Sequence, residues 1–262
     1  MTKFSYKASD LFDFSGVTAL VVGGATGLGA EMASALLANG GTVAIASRDM
    51  SKVEAKAAQL NQSYDGRCIP LPVDLDDQES IQALCASLKS AFNGTLNIAI
   101  NSAGFNVRNP IQDISLDEWE NIQRTNITGA FLLSRELFPL LKEASWGRLI
   151  HITSIFSSRS FADRLSYATS KGALLQLVRT LALEWASLGI TVNGISPGPF
   201  LTDINKPVLD NPENYKSFCN NIPIGRFGNP EEIVTTCLFL ASQASSYVNA
   251  ADIIIDGGWT AK

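Results

Sequence analysis

Short runs of β-branched and other apolar residues alternate along this chain with longer stretches whose apolar residues recur at helical spacing. The runs cover residues 17–22, 42–46, 96–100, 148–153, 190–195 and 252–255, and the helical stretches cover 31–39, 51–61, 80–92, 116–142 and 167–188. Runs without a polar alternate residue suit strands covered on both faces, so the pattern predicts an α/β fold with a parallel sheet between two helical layers. Residues 68–73 form a weaker strand candidate, because Pro70 and Pro72 cannot donate to a ladder. No linker-like stretch and no internal repeat divides the chain, so 1–262 is expected to be one domain. Residues 197–223, rich in Pro and Asn and without sustained periodicity, are the expected irregular insertion and a candidate substrate lid. Asn229-Pro230-Glu231 then predicts a helix start with proline in the first turn.

With 46% hydrophobic residues in 262, the chain can fill a substantial core. Only 17% of residues are charged, the formal net charge is −5, and no Lys/Arg block occurs, which argues against nucleic acid or an anionic membrane as partner. A small-molecule partner is expected instead. The first ten residues lack a basic segment followed by an apolar run, and no membrane-length apolar stretch occurs, so the expectation is a soluble, cytoplasmic protein. Cys68, Cys85, Cys219 and Cys237 are widely spaced and form no Cys-x-x-Cys pair, which fits reduced thiols and no metal. Asn126-Ile127-Thr128 fits a glycosylation sequon but lacks an export signal to make it meaningful.

The join between the first strand and first helix reads Val22-Gly23-Gly24-Ala25-Thr26-Gly27-Leu28-Gly29. Absent side chains let backbone turn sharply and approach a pyrophosphate, while the helix N-terminus offers free N–H groups to an anion. The predicted architecture is therefore a Rossmann-type, doubly wound sheet of about seven strands that binds a dinucleotide. At the end of the second strand, Ser47 stands where an acidic residue would bind the ribose hydroxyls of NAD, and Arg48 follows. A guanidinium grips a 2′-phosphate that a carboxylate would repel, so NADP is favoured, with NAD as the alternative given the adjacent Asp49.

Tyr167 and Lys171 are four residues apart in a helical stretch and so share a face. A nearby ammonium favours phenolate over phenol; bringing a phenol from about 10 toward 7 requires roughly 4 kcal/mol, more than one lysine in water supplies. A buried ammonium together with an oxidised nicotinamide ring is the expected source. Ser154 lies at the C-terminal edge of the strand at 148–153, where open α/β sheets collect ligands, and its hydroxyl could hold a substrate oxygen while Tyr167 exchanges the proton. His151, the only histidine, sits three residues before Ser154 and so on the opposite strand face, and no Gly-x-Ser-x-Gly surrounds the serine, which excludes a Ser/His hydrolase and leaves His151 as a packed structural residue.

From about Gly16 to Trp259 the chain resembles the short-chain dehydrogenase/reductase family. The resemblance rests on Gly23-x-x-x-Gly27-x-Gly29, Asp74, Asn101-Ser102-Ala103-Gly104, Asn126, Ser154, Tyr167-x-x-x-Lys171 and Pro197-Gly198-x-x-x-Thr202, in that order. It implies that Ser154 polarises a carbonyl, Tyr167 is the acid-base, Lys171 lowers the tyrosine pKa and holds the nicotinamide ribose, and Asn126 supports a water leading to Lys171. It implies further that Thr26, Leu28, Ser47, Arg48, Leu75, Asn101, Ala103 and Gly104 join the glycines in the cofactor site, that Asp74 meets the adenine, and that Pro197, Gly198 and Thr202 flank the carboxamide. Val22 stands in place of a threonine and Ser102 in place of an asparagine, which touches loop hydrogen bonds more than the chemistry.

The activity implied is hydride transfer between the cofactor and a secondary alcohol or ketone. A catalytically silent nucleotide sensor or scaffold of the same fold is the competing reading, and the intact Asn126, Ser154, Tyr167 and Lys171 weigh against it. Epimerase and dehydratase relatives share the Tyr/Lys pair on longer chains. Apolar residues right round the helix at 167–185 predict a second buried face, and the resemblance suggests a homodimer or homotetramer. Phe156, Arg159, Phe161, Asp163 and residues 200–218 are the candidate substrate lining, pointing to a small polar keto compound.

Overall fold

A computed structural model of the chain describes residues 7–65 and 67–261; residues 1–6, part of the segment read above for export, lie outside them. In chain order the elements are α1 (Ala8–Leu11), β1 (Thr18–Val22), α2 (Gly27–Ala38), β2 (Thr42–Ser47), α3 (Met50–Ser63), β3 (Cys68–Pro72), α4 (Gln78–Ala91) and β4 (Ile98–Asn101). They continue with α5 (Leu116–Gln123), α6 (Gly129–Glu143), β5 (Gly147–Ile152), α7 (Leu165–Trp185), β6 (Ile190–Pro197), α8 (Lys206–Leu209), α9 (Pro212–Asn221), α10 (Val234–Ala241) and β7 (Asp252–Ile255). The strands form one sheet in the order β3-β2-β1-β4-β5-β6-β7, every pair parallel. The order reverses between β1 and β4, which opens a crevice beyond their C-terminal ends.

Each central strand buries both faces. On β1, Val21 packs with Met32, Leu36 and Ile45 toward α2, α3 and α10, while Leu20 and Val22 pack with Leu84, Leu137 and Val178 toward α4, α6 and α7. This two-sided burial is why the strands read as continuous apolar runs.

The strand at β3 forms despite its prolines, and its place explains why. It is the outer strand, paired only with β2; there Val43 N–H reaches Arg67 O and Val73 N–H reaches Ser47 O, so odd-numbered residues face the sheet. Cys68 faces outward and bonds instead to the Asn61 side chain. Pro70 and Pro72 share that outward direction, where no ladder partner waits and a missing N–H also blunts the edge.

Two expectations change. The single helix expected over 116–142 is split by a π-helical turn, Arg124–Thr128, between α5 and α6. The expected irregular insertion at 197–223 holds two helices. Asn211 caps α9 by accepting from Glu213 N–H and Asn214 N–H, Pro212 starts it, and Tyr215, Phe218, Cys219 and Ile222 form an apolar stripe against Phe227 and Trp259. As expected, Pro230 opens a turn, and Asn229 N–H bonds the Glu232 carboxylate at 2.8 Å.

Among the described residues no helix is long and apolar enough to cross a membrane, and no group of three or more His, Cys, Asp or Glu is placed to hold a metal ion. The four cysteines are unpaired.

Candidate active site

A cleft of about 710 Å³ lies along the C-terminal ends of the strands. At its nucleotide end, Gly23 turns the chain with φ +77°, and a Cβ there would sit 3.0 Å from Ala103 N. Gly29 lets α2 close on that turn: a Cβ there would stand 2.2 Å from Gly23 O. Thr26 is the N-cap of α2 but its side chain makes no capping bond, so the first-turn N–H groups point into the cleft without a side-chain acceptor.

Ser47 and Arg48 line the cleft beyond β2, and Asp74 and Leu75 line it beyond β3. The Arg48 side chain is 64% exposed, its nearest carboxylate being Asp76 at 4.0 Å. Asp49 does not compete for the ligand of Arg48. It caps α3, accepting from Lys52 N–H and Ser51 Oγ, and these bonds hold its carboxyl below the usual range. Glycine-lined backbone, free helix N–H groups and an exposed arginine held only loosely by Asp76 at 4.0 Å fit a phosphorylated dinucleotide.

At the other end, Ser154 follows β5 and Tyr167 stands in the first turn of α7. Both line the cleft, the Ser154 hydroxyl favours the Tyr167 phenolate, and Ser154 Oγ accepts from Phe156 N–H at 3.2 Å, which fixes the serine rotamer. Lys171 Nζ lies 5.7 Å from the Tyr167 ring centroid and donates to Ile152 O at 2.7 Å. Burial lowers the Lys171 pKa to about 8. Burial also raises the Tyr167 pKa, against the opposing effect of the Ser154 hydroxyl. The depression expected from Lys171 is therefore absent in the chain alone: the ammonium is aimed at a strand carbonyl rather than at the phenol.

Most of the predicted residues meet here: Gly23, Thr26, Gly27, Leu28, Ala103, Gly104, Ser154, Tyr167, Lys171, Pro197, Gly198 and Thr202 all line the cleft. Gly29, Asn101 and Asn126 stand behind its wall instead. Asn126, inside the π-helical turn, exchanges hydrogen bonds with the Phe105 backbone (Nδ2 to O 3.0 Å, N to Oδ1 3.1 Å) and donates to Ser170 Oγ at 3.0 Å. A Cβ on Gly104 would meet Asn126 Oδ1 at 3.1 Å and Lys171 Nζ at 3.5 Å, so the asparagine and lysine approach each other across that glycine. The π turn places Asn126 for this contact, a common use of such bulges.

His151 is fully buried behind the site and does not bond Ser154. Ser134 spends its proton on Ala130 O, so its oxygen accepts from His151 Nε2, while Asn101 Nδ2 donates to Nδ1 at 3.4 Å. This is a neutral imidazole, and burial holds its pKa near 3. Through it Asn101 is oriented to accept Ala103 N–H at 3.2 Å, shaping the turn after β4.

The substrate lining differs from expectation. Phe156, Phe200, Thr202 and Phe218 line the cleft, whereas Arg159, Phe161 and Asp163 do not. Phe161 instead packs near Phe218 and Trp259, with ring centroids 6.3 and 6.4 Å away. Asn106, Arg108, Arg164 and Trp259 line it without having been singled out. Only Arg164 carried a local signal, three residues before Tyr167 and hence at the same helix end.

The sequence matches the family model described as enoyl-(acyl carrier protein) reductase over residues 23–260. It is 34% identical to D-threitol dehydrogenase of Mycolicibacterium smegmatis over 96% of either chain. A tropinone reductase homolog of Arabidopsis thaliana is 35% identical, covering 95% of this chain and 94% of that protein. The crystal structure of a gluconate 5-dehydrogenase from Burkholderia cenocepacia in complex with NADP and tartrate superposes with a TM-score of 0.93 at 28% identity, covering 98% of this chain and 100% of that one. The chain belongs to the short-chain dehydrogenase/reductase family. It is an NAD(P)-dependent oxidoreductase, and the cleft described above is the candidate site of its reaction.

Proposed function

We propose that this short-chain dehydrogenase/reductase interconverts a small polar secondary alcohol and its ketone using NADP, in one domain whose lid is residues 197–223. The observation that carries the reading is that Ser154, Tyr167 and, one helical turn on, Lys171 line one cleft with the glycine turn, the Lys171 ammonium 5.7 Å from the Tyr167 ring centroid. The threitol and gluconate dehydrogenases among its relatives support a polyhydroxy substrate, and the NADP-bound neighbour supports the cofactor that Arg48 favours.

In the oxidative direction, Ser154 Oγ donates to the substrate oxygen and holds it against the Tyr167 hydroxyl. The phenolate form of Tyr167 takes the alcohol proton as the carbonyl forms; in reduction the phenol returns it. Lys171, held to Ile152 O, keeps a positive charge beside the ring. Ser170 Oγ donates to the Tyr167 backbone carbonyl at 2.8 Å and accepts from Asn126 Nδ2, which fixes the asparagine. When bound, the nicotinamide supplies the hydride acceptor or donor, with a positive charge in its oxidised form that offsets the rise burial imposes on the phenol. Arg48, the α2 N-terminus and Asp74 hold the nucleotide end.

Incubating the protein with NADPH and a panel of four- to six-carbon ketoses and keto acids tests the reading by absorbance at the reduced-cofactor band. Oxidation of NADPH by at least one of them is the expected result; none, with folded protein, refutes it. We also propose a cytoplasmic homodimer or homotetramer. Leu183 (80% exposed), Leu116 (70%) and Phe131 (47%) mark the faces of α5, α6 and α7 that await a partner copy. Sedimentation showing only monomer at micromolar concentration overturns that part.

A further inference from the structure

We propose that the substrate is an anion, a small hydroxy acid or the corresponding keto acid, whose carboxylate is held by Arg108 and Arg164. This rests on the oxidoreductase reading above and names the substrate class of that same cleft. Both arginines line the catalytic end of the cleft, on different walls: Arg108 on the loop after β4 and Arg164 at the entry to α7. Arg164 is 8% exposed and, among the described residues, its side chain makes one hydrogen bond, Nη1 to the backbone Asp163 O at 2.8 Å. Arg108 is half-buried and donates to Ile204 O at 3.3 Å and Asn205 Oδ1 at 3.1 Å, both on the lid. Among the described residues neither has a carboxylate within 4.0 Å, unlike Arg48, Arg135 and Arg226.

Two guanidiniums drawn out of water without counter-charge oppose folding, and each depresses its own ionisation: burial lowers both pKa values, and Arg108 adds to the effect on Arg164. The surrounding charges do not offset this. Of the charged groups lining the catalytic end, Lys171 is a third cation, Asp203 on the lid is the one carboxylate, and Asp163, attracting Arg164 weakly, lies outside the cleft. Desolvated and unpaired, such cations are costly unless an anion completes the site. A planar carboxylate suits the fork geometry of arginine. Asn106 Oδ1, buried two residues before Arg108 without a partner, is an acceptor for a substrate hydroxyl.

Because Arg108 already ties the β4 loop to the lid, an anion on both arginines would join the lid to α7 beside Tyr167. That positions the reacting carbon and shields it from water.

The test uses matched pairs that differ only in the terminal group, threonate against threitol and gluconate against glucitol, with wild type, Arg108→Gln, Arg164→Gln and Arg164→Lys. Wild type should favour at least one acid over its alcohol in kcat/KM. The acid-to-alcohol ratio should fall about 10- to 100-fold in either Gln variant, with partial recovery in Arg164→Lys. Titration calorimetry of the NADPH-loaded wild type, which cannot oxidise a hydroxy compound, with the same four compounds reads the preference without turnover, the acid of a pair binding more tightly. If Arg164→Gln does not fold, Arg108→Gln decides. A ratio of one or below in wild type by both readouts, an unchanged ratio in folded Gln variants, or preference for a phosphate ester of the same polyol overturns the proposal. Turnover confined to the neutral alcohols overturns it while leaving the oxidoreductase reading standing.

Discussion

Replacing Gly29 with alanine tests the nucleotide site through a single methyl group. The added Cβ would lie 2.2 Å from Gly23 O, 2.8 Å from Gly23 C and 3.3 Å from Gly24 Cα, all backbone atoms. Restoring van der Waals contact requires about 1 Å of separation between the glycine turn and the start of α2. The turn cannot supply it: Gly23 N–H is bound to Ala46 O at 2.8 Å and its Cα faces the Ser102–Ala103 backbone. The helix must move, although Met32 and Leu36 anchor it in the core. Overpacking of this kind costs about 1–3 kcal/mol, which for a chain of this length lowers Tm by roughly 2–5 °C. The N–H groups of Leu28 and the following turn shift by a comparable distance, outside hydrogen-bond range of a bound phosphate. Losing one or two charge-assisted bonds should weaken NADPH binding about 10- to 100-fold. Fluorescence titration of NADPH measures that, with scanning calorimetry of the cofactor-free protein. Gly172→Ala is the control: its Cβ meets nothing nearer than Ser157 O at 3.7 Å, so it should be neutral or stabilise α7 by about 0.5–1 kcal/mol. A Gly29→Ala protein that binds NADPH within twofold of wild type would show that the close approach does not shape the phosphate site.

Tyr167→Phe should lower kcat by a factor of 10² or more while the NADPH dissociation constant stays within a few-fold; retained turnover removes the acid-base assignment. Arg48→Ala should raise the KM for NADPH roughly 5- to 30-fold, discounted from a buried arginine because the side chain is 64% exposed, and leave NADH nearly untouched; parallel kinetics with both cofactors checks it. Lys171 carries a folded-state pKa near 8, below the 10.5 of an unfolded lysine, so the unfolded chain binds more protons between those values. Wild-type stability therefore gains from this group as pH rises from about 8 to 10.5, and Lys171→Met removes that gain. Melts of both proteins in cofactor-free buffer at pH 7.5 and 9.5 should show the stability difference moving in wild type's favour at the higher pH; a pH-independent difference contradicts a buried, depressed ammonium.

The sequence alone determined the layers of this protein. Continuous apolar strands state two-sided burial wherever they fall, and spacing alone places Tyr167 and Lys171 on one helix face and the glycines between β1 and α2. Linear order also put Ser154 at a strand's C-terminal edge. Other features needed the assembled sheet. Pro70 and Pro72 are compatible with a strand only because β3 is outermost and both face away from β2, a fact of strand order rather than of local sequence. The helix carrying Tyr215, Phe218, Cys219 and Ile222 lies in a stretch whose sequence reads as irregular, because its apolar side rests on Phe227 and Trp259, which only the fold brings against it.

The electrostatics were decided entirely in three dimensions. Spacing brings Lys171 near Tyr167, yet the tertiary fold turns its ammonium onto Ile152 O and draws the phenol partly out of water, so desolvation governs the tyrosine instead. Arg108 and Arg164, 56 residues apart, share one cleft because the loop after β4 and the entry to α7 open at the same end of the sheet. Hydrophobic periodicity is a property of neighbours along the chain and survives in the sequence; desolvation and charge pairing depend on what a group meets across the fold, which no local pattern records.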